Sequence, residues 1–352
     1  MKQIRVFQIG CGKMSKYIMK YIYDVKGKIV GAVDIDPKKI GKDIGSIIEK
    51  DSCHIIIEDV KKLDQLLKET KPDIAVITTL SYLNDIESTI RSCIMNNVNV
   101  ITSAEGCFYA ESSNPTLYHE LDILAKAYNV TITGCGYQDI FWGNLITTIS
   151  ASTHNITKIK GSSSYNVEDY GLALAKAHGA GLSLEKFEKE ISSLDNISEK
   201  ERQKLINERK FNASYMWNAA SWIKDKLNLT TVKMAQKCVP TTYEEDLHSD
   251  TLNMDIKKGN ATGMSAITTL ETKEGITIEA ECIGKVYSKE DYDKNEWTIY
   301  GEPTTTITIN KPDTVQLTCA DIVNRIPDVI EAKPGFIPTS KLKEPTYKSK
   351  YE

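Results

Sequence analysis

Gly10 and Gly12 stand two apart at the end of an apolar run, Ile4 to Ile9, and an acid, Asp34, closes the next apolar run, Lys28 to Val33. Glycine at the first position permits a tight turn, and glycine at the second lets a backbone come close to a bulky anion. A helix beginning directly after them offers unpaired N–H groups to a phosphate. An acid at the end of the following strand, some two dozen residues on, suits the hydroxyls of a ribose. Gly10-Cys11-Gly12-Lys13-Met14-Ser15 with Asp34 therefore reads as a dinucleotide turn, against the alternative of a purely structural one. Ser15 holds the third fingerprint position, where glycine or alanine is usual, and is small enough to keep helix and strand close. Asp34 favours NAD, because a 2′-phosphate would face its charge. Lys38 and Lys39 lie just beyond and offset that repulsion, so NADP stays open.

Three later turns are candidates for the reacting end. Thr78 and Thr79-Leu80-Ser81-Tyr82 follow one apolar strand, Ser103-Ala104-Glu105-Gly106 a second, and Gly134-Cys135-Gly136-Tyr137-Gln138-Asp139 a third. In an open parallel sheet, ligands sit beyond the carboxyl ends of the strands. Gly10, Gly12, Lys13, Met14, Asp34, Thr78, Thr79 and Ser81 are the expected coenzyme contacts. Glu105 is either a helix cap or surface carboxylate, or the catalytic group. A carboxylate suits an amine better than an alcohol. It takes a proton from an ammonium, faces a cationic imine and activates water. Further along, Gly161 to Gly171 is too polar for a core. Tyr165, Asn166, Glu168, Asp169 and Tyr170, with His178, Tyr137 and Gln138, are expected to wall a substrate pocket, although each singly also reads as ordinary surface. His154 is a weaker pocket candidate, and Arg325 and Lys160 are candidates for a substrate carboxylate.

The elements that must carry these residues alternate over the first 135 or so positions. Lys13 to Asp24, Asp59 to Glu69, Leu83 to Met95 and Pro115 to Tyr128 carry apolar stripes at helical spacing, between short apolar runs at Ile55, Asp73, Val98 and Val130. That is a doubly wound parallel sheet of Rossmann type, with helices on both faces. The second half reads differently. Asp139 to Ala151 is expected as a connecting helix, Ile156 to Ser163 as a strand, and Leu184 to Ile191 and roughly Glu199 to Cys238 as helical, the latter broken near Leu227-Asn228-Leu229. From Thr251 to Ile309 the pattern turns to strands rich in Thr, Ile and Val, expected at Thr251 to Ile256, Ala261 to Glu271, Ile276 to Val286 and Thr304 to Ile309 and joined as antiparallel hairpins. Thr314 to Ile330 returns to helix and is expected to dock on the first domain, with a surface tail after Pro334. The division expected is 1–138 for the dinucleotide domain, 139–311 for an α+β substrate and oligomerisation domain with a largely antiparallel sheet, and 312–352 for a returning helix and tail.

Composition narrows the class. The chain has 352 residues, 41% hydrophobic and 26% charged, with net charge -4, which favours no nucleic-acid or membrane surface. No apolar run reaches the roughly eighteen residues of a membrane span, and the early core strand leaves no room for a leader. Its eight cysteines are scattered singly, so free buried thiols in a reducing cytoplasm are expected rather than disulfides or a metal site.

The chain resembles the NAD(P)-dependent amine dehydrogenases related to dihydrodipicolinate reductase, and within them the 2,4-diaminopentanoate dehydrogenase family. The resemblance lies in Gly10 to Met14, Val30 to Pro37, Lys39 to Gly45, Asn99 to Glu105, Gly134 to Leu145, Gly161 to Gly171 and Asn324 to Pro327, so it spans nearly the whole chain. It implies oxidation of the 4-amino group of 2,4-diaminopentanoate to 2-amino-4-oxopentanoate and ammonia in ornithine fermentation, with Glu105 matching the family's catalytic glutamate, and a homodimer. Relatives often carry two acids in a row there, where this chain has Glu105-Gly106. Sugar dehydrogenases of similar architecture carry Glu-Lys-Pro, which Glu105-Gly106-Cys107 does not match. A dehydrogenase for another amine or diamino acid, and a non-catalytic nucleotide sensor, are the alternatives.

Overall fold

The computed structural model describes residues 3–351. The chain divides into two compact units, one of residues 1–144 with 313–352 and the other of 145–312. The first unit is built on β1 (Arg5–Ile9), β2 (Lys28–Asp34), β3 (Ile57–Asp59), β4 (Ile74–Ile77), β5 (Asn99–Thr102) and β6 (Thr131–Gly134). All are parallel, in the order β6-β5-β4-β1-β2-β3. The order reverses between β1 and β4, which sets the crevice of a doubly wound sheet at Gly10 and Thr78.

Two cores cover the two faces, as the near-continuous apolar strands require. Phe7, Ile9, Ala75, Ile77 and Val100 face the helices Leu63–Thr70, Leu83–Met95 and Pro115–Ala127. Val6, Ala32, Ile74, Val76 and Ile101 face the helix Lys13–Asp24 through Ile18, Met19 and Ile22. The helix Thr314–Glu331 joins that second core through Cys319, Ile322, Val323, Ile326 and Val329. The C-terminal stretch departs from a surface tail: Gly335–Phe336 adds a parallel strand beside β6, and Phe336 is buried. A parallel edge with free N–H and C=O groups recruits it.

The second unit carries β7 (His154–Asn166), β8 (Thr231–Thr241), β9 (Leu247–Ser249), β10 (Met254–Ile256), β11 (Gly263–Thr272), β12 (Thr277–Lys285), β13 (Lys294–Glu302) and β14 (Thr305–Asn310). Six of them form a sheet ordered β14-β13-β7-β12-β11-β8. Pairing is antiparallel except between β7 and β12. The helix Tyr215–Lys226 packs on β11 and β12. At Gly161 an added Cβ would lie 2.2 Å from the Trp297 ring, so the glycine seats that buried indole. Of the helical stretch expected over Glu199 to Cys238, helices Glu199–Asn207 and Tyr215–Lys226 form and the chain breaks at Leu227 as expected, but the part beyond the break is β8 and not helix. Lys, Met, Ala and Gln suit a helix locally, but pairing of Lys233 to Thr241 along β11 overrides that preference. The Asp139 helix opens as a π turn, Asp139–Asn144, before Leu145–Ser150. Among the described residues no helix is long and apolar enough to cross a membrane.

Candidate functional site

The first unit's crevice is built from backbone outward. Gly10 has φ +86, a left-handed conformation that favours glycine, and a Cβ there would lie 2.7 Å from Thr79 Cγ2 and 3.0 Å from the Thr78 carbonyl. Gln8, a fully buried amide between the apolar Phe7 and Ile9, donates to the Gly10 carbonyl at 2.9 Å and to Thr78 Oγ1 at 2.9 Å. The ends of β1 and β4 are thereby tied together. A Cβ on Gly12 would meet nothing within 4 Å, so the turn opens onto free space. The helix Lys13–Asp24 begins there with no side-chain cap and no acid in its first turn. Its first N–H groups and positive dipole end suit a phosphate. Ser15 is buried, and its hydroxyl donates to the Gly12 carbonyl at 2.8 Å, which is how a serine serves at the third position. Lys13 is exposed and Met14 half-buried.

Asp34 ends β2 and is buried. It accepts from Cys11 N at 2.7 Å, Asp36 N at 2.8 Å and Lys39 Nζ at 3.2 Å. Burial alone would raise its carboxyl; the N–H groups of Asp36 and Cys11 and the Lys39 ammonium outweigh it and hold the group below its ordinary value. Asp34 is thus an ionised acceptor fixed beside the turn. Sequence reasoning passed over Ile35, which is 79% exposed directly after the end of β2; Leu80, already placed in the turn that follows β4, is 55% exposed. Large apolar side chains held in water at this edge suit the faces of a purine ring. The signal that marks them is an apolar residue directly beyond the Asp34 and Thr79 positions.

Glu105 opens a short 3-10 turn, Glu105–Cys107, after β5. Thr102 Oγ1 donates to the Ile77 carbonyl at 3.0 Å and accepts from Ala104 N at 3.1 Å, which fixes the turn against β4. Gly106 N donates to Ser81 O at 2.9 Å. A Cβ on Gly106 would stand 3.0 Å from Leu83 N and 3.1 Å from Ser81 O, so a second acid after Glu105 would crowd the loop. That contact is the physical reason for Glu105-Gly106. The Glu105 side chain is half-buried and accepts from the Ser81 hydroxyl. Burial raises its carboxyl above the ordinary range, while its own backbone N–H and Ser81 pull downward without cancelling that effect. A carboxylate so tuned is a proton acceptor that reacts nearer to neutrality.

The turn after β6 is packed against the same edge. A Cβ on Gly134 would lie 2.3 Å from the Cys107 carbonyl carbon, so glycine there lets the two turns touch. Tyr137 is buried and stacks on Phe141 with centroids 4.4 Å apart; Gln138 is buried and donates to the Cys135 carbonyl at 3.4 Å. Beneath them lies an ionic cluster. Arg325 Nε meets Asp139 Oδ2 at 2.8 Å, and Cys135 Sγ meets Asp321 Oδ2 at 3.0 Å. Cys135, Asp139 and Asp321 hold their ligand atoms within 4.8 Å of one another. The positive charge among them is the guanidinium of Arg325, which is fully buried. The reading of Arg325 as a contact for a substrate carboxylate is therefore corrected: the residue is spent inside this unit. The eight cysteines are free thiols, all buried except the half-buried Cys53.

In the second unit, Tyr165, Tyr170 and His178 form one aromatic group. Tyr165 meets Tyr170 edge-on at 5.6 Å and His178 at 5.8 Å. Asn166 caps the following turn by accepting from Glu168 N at 3.2 Å. Glu168 turns to the β9 loop, where it accepts from Ser249 Oγ at 2.6 Å and Thr251 N at 3.1 Å. Asp169 is exposed, as is His154, and Lys160 pairs with Glu279 at 3.2 Å.

The fold and the β1 turn define a Rossmann-type protein with a mixed-sheet second unit. Residues 141–348 match the family model described as the 2,4-diaminopentanoate dehydrogenase C-terminal domain, and the chain belongs to that family, among the amine dehydrogenases related to dihydrodipicolinate reductase. It is similar to the solved amine dehydrogenase of Mycobacterium smegmatis, with 32% identity, 99% of each chain covered and a TM-score of 0.83. It is 23% identical over 193 residues to the 2,4-diaminopentanoate dehydrogenase of Acetoanaerobium sticklandii, covering 54% of each protein. It is 33% identical over 108 residues to the 4-hydroxy-tetrahydrodipicolinate reductase of Methanococcus aeolicus, covering 29% of this chain and 38% of that protein. The matches thus span about half or less of these two relatives.

Proposed function

We propose that this protein is an NAD(P)-dependent amine dehydrogenase that converts 2,4-diaminopentanoate to 2-amino-4-oxopentanoate and ammonia. The observation that carries the reading is Glu105, a carboxylate raised by burial, standing after β5 on the same edge of the sheet as the uncapped turn that follows β1, two strands away. The names of the family and of the Acetoanaerobium sticklandii relative support the substrate.

In this reading Gly10, Gly12, Lys13, Met14, Asp34, Thr78, Thr79 and Ser81 hold the coenzyme, with Asp34 on the adenosine ribose. The coenzyme, when bound, supplies the hydride acceptor. Glu105 takes a proton from the substrate's 4-ammonium, so the lone pair of the amine is free to form a C=N bond as hydride leaves the carbon. Once Glu105 has passed that proton on to solvent, the restored carboxylate faces the cationic imine, takes a proton from the attacking water and returns it to the nitrogen. Collapse of the adduct releases ammonia and leaves the ketone. Ser81 tunes the carboxylate, and Gly106 keeps it in register with the neighbouring loop.

Glu105→Gln removes the proton acceptor and keeps the shape. Coenzyme affinity measured by titration should be unchanged within about twofold, while turnover falls about 10²- to 10⁴-fold. Turnover equal to wild type would refute the role of Glu105. Reduced-nicotinamide absorbance in a screen of amines, diamino acids and hydroxy acids tests the substrate class.

A further inference from the structure

One peptide group of the turn after β1 is held at both of its ends. The Gly10 carbonyl accepts from Gln8 Nε2 at 2.9 Å and from Thr78 Oγ1 at 3.1 Å. The N–H of the same peptide, on Cys11, donates to Asp34 Oδ2 at 2.7 Å. A carbonyl only accepts, so the Thr78 hydroxyl spends its one proton on Gly10 and takes the second Gln8 N–H on a lone pair, at 2.9 Å. Gly10 has a positive φ and no Cβ, so sterics alone do little to keep the peptide after it from turning over. Turned over, its carbonyl would face the Asp34 carboxylate and its N–H would face the Gln8 N–H, like against like. The Gln8 side-chain oxygen is buried without a partner among the described residues. An unpaired buried acceptor is destabilising, and an apolar side chain in its place would spare the chain that cost. The donor end of the amide, not stability, is what the residue supplies.

We propose that Gln8 is a positioning residue for the coenzyme: with Thr78 and Asp34 it locks the Gly10–Cys11 peptide, and so fixes where the next N–H, on Gly12, meets the pyrophosphate at the open start of the helix Lys13–Asp24. Gln8 is fully buried and reaches the coenzyme only through this peptide. Gly12 itself is unobstructed, since a Cβ there would meet nothing within 4 Å. An unlocked turn samples other orientations and must be ordered again at each binding event, which lowers affinity. The lock acts on the diphosphate that NAD and NADP share, whereas the ribose contact of Asp34 tells them apart. The inference rests on the coenzyme reading and deepens it within the first unit.

Gln8→Leu and Gln8→Met remove the donor and keep a side chain of similar bulk. Fluorescence titration of the full chain with NADH and NADPH, and with ADP-ribose as a competitor, reads affinity without turnover. Each variant should bind these ligands about 5- to 50-fold more weakly, by a common factor, with its urea midpoint at or above that of wild type. In steady state the loss should fall on KM for the coenzyme, while kcat at saturating coenzyme falls less than about threefold. A chain that was merely destabilised would lose kcat through its folded fraction instead. The double variant Gln8→Leu with Thr78→Val should lose less than the product of the single losses, because both side chains act on one carbonyl. Unchanged affinity, a loss confined to one ligand, single losses that multiply, or loss of the fold in both Gln8 variants overturns the positioning role. Wild-type protein that binds neither NADH nor NADPH overturns the coenzyme reading and this role together, whereas a wild type that binds, with variants that bind equally well, overturns the role of Gln8 alone.

Discussion

Replacing Arg325 by methionine should destabilise the first unit severely. The Arg325 side chain is 1% exposed and Asp139 0%, with Nε and Oδ2 at 2.8 Å. Arg325 Nη1 also approaches Asp328 Oδ2 at 3.4 Å and donates to the Lys343 carbonyl. Methionine fills most of the volume but leaves Asp139 with Asn144 Nδ2, at 2.9 Å, as its remaining hydrogen-bond donor among those the structure gives it. A carboxylate stripped of its buried partner costs about 3–5 kcal/mol. For a unit of this size that is a fall in Tm of roughly 10 °C. Urea unfolding followed by circular dichroism, with calorimetry in parallel, reads both quantities. The double variant Arg325→Met with Asp139→Leu removes both charges and should regain most of the loss, because the penalty lies in the uncompensated ion and not in the absent pair. A single variant that costs less than about 1 kcal/mol, or a double variant as unstable as the single, would refute the account.

Further predictions follow from the same charges. Burial, then the charge of Asp139, raises the Asp321 carboxyl well above its ordinary 3.8. The folded chain therefore keeps a proton that the unfolded chain gives up near that value, and the stability this confers is lost as pH rises toward the folded value. Asp321→Asn keeps an acceptor for Cys135, and its urea midpoint should gain on wild type as pH rises above the ordinary carboxyl value toward the raised one; a gap independent of pH would count against the raised carboxyl. Ser81→Ala removes a donor that favours ionised Glu105, so the acid limb of kcat/KM should move to higher pH with the plateau little changed; an unmoved limb would show that Ser81 does not tune the carboxylate. Asp34→Ala deletes a charged acceptor and releases Lys39, so NAD binding should weaken roughly 30-fold while NADP binding changes less, as read by fluorescence titration; equal losses would remove the ribose contact.

Much of the first unit was legible because its information is local. A glycine turn, a strand-terminal acid and apolar stripes at helical spacing constrain the backbone within a few residues, and the helices Lys13–Asp24 and Leu83–Met95 end where the pattern ends. Glu105 stood out for the same reason, as a costly carboxylate directly after an apolar strand. β8 was not legible, since its Lys, Met, Ala and Gln residues prefer helix until β11 supplies hydrogen-bond partners. β13 alternates Asn295, Trp297 and Ile299 inward with Lys294, Glu296 and Thr298 outward, a period of two that its charges mask.

By itself, the sequence determined the doubly wound sheet, the coenzyme turn and the candidate acid, because each is written in neighbouring residues. Only the tertiary structure decided the direction and charge state of the polar groups. Arg325 and Asp139 lie 186 positions apart in sequence, yet share one hydrogen bond in the interior. His178 takes its tautomer from a carbonyl one helical turn back, and its partner from a strand that ends before the helix begins. Burial, which sets the carboxyls of Glu105 and Asp321 on their raised values, depends on what the folded chain excludes from water, and no short stretch of residues records that.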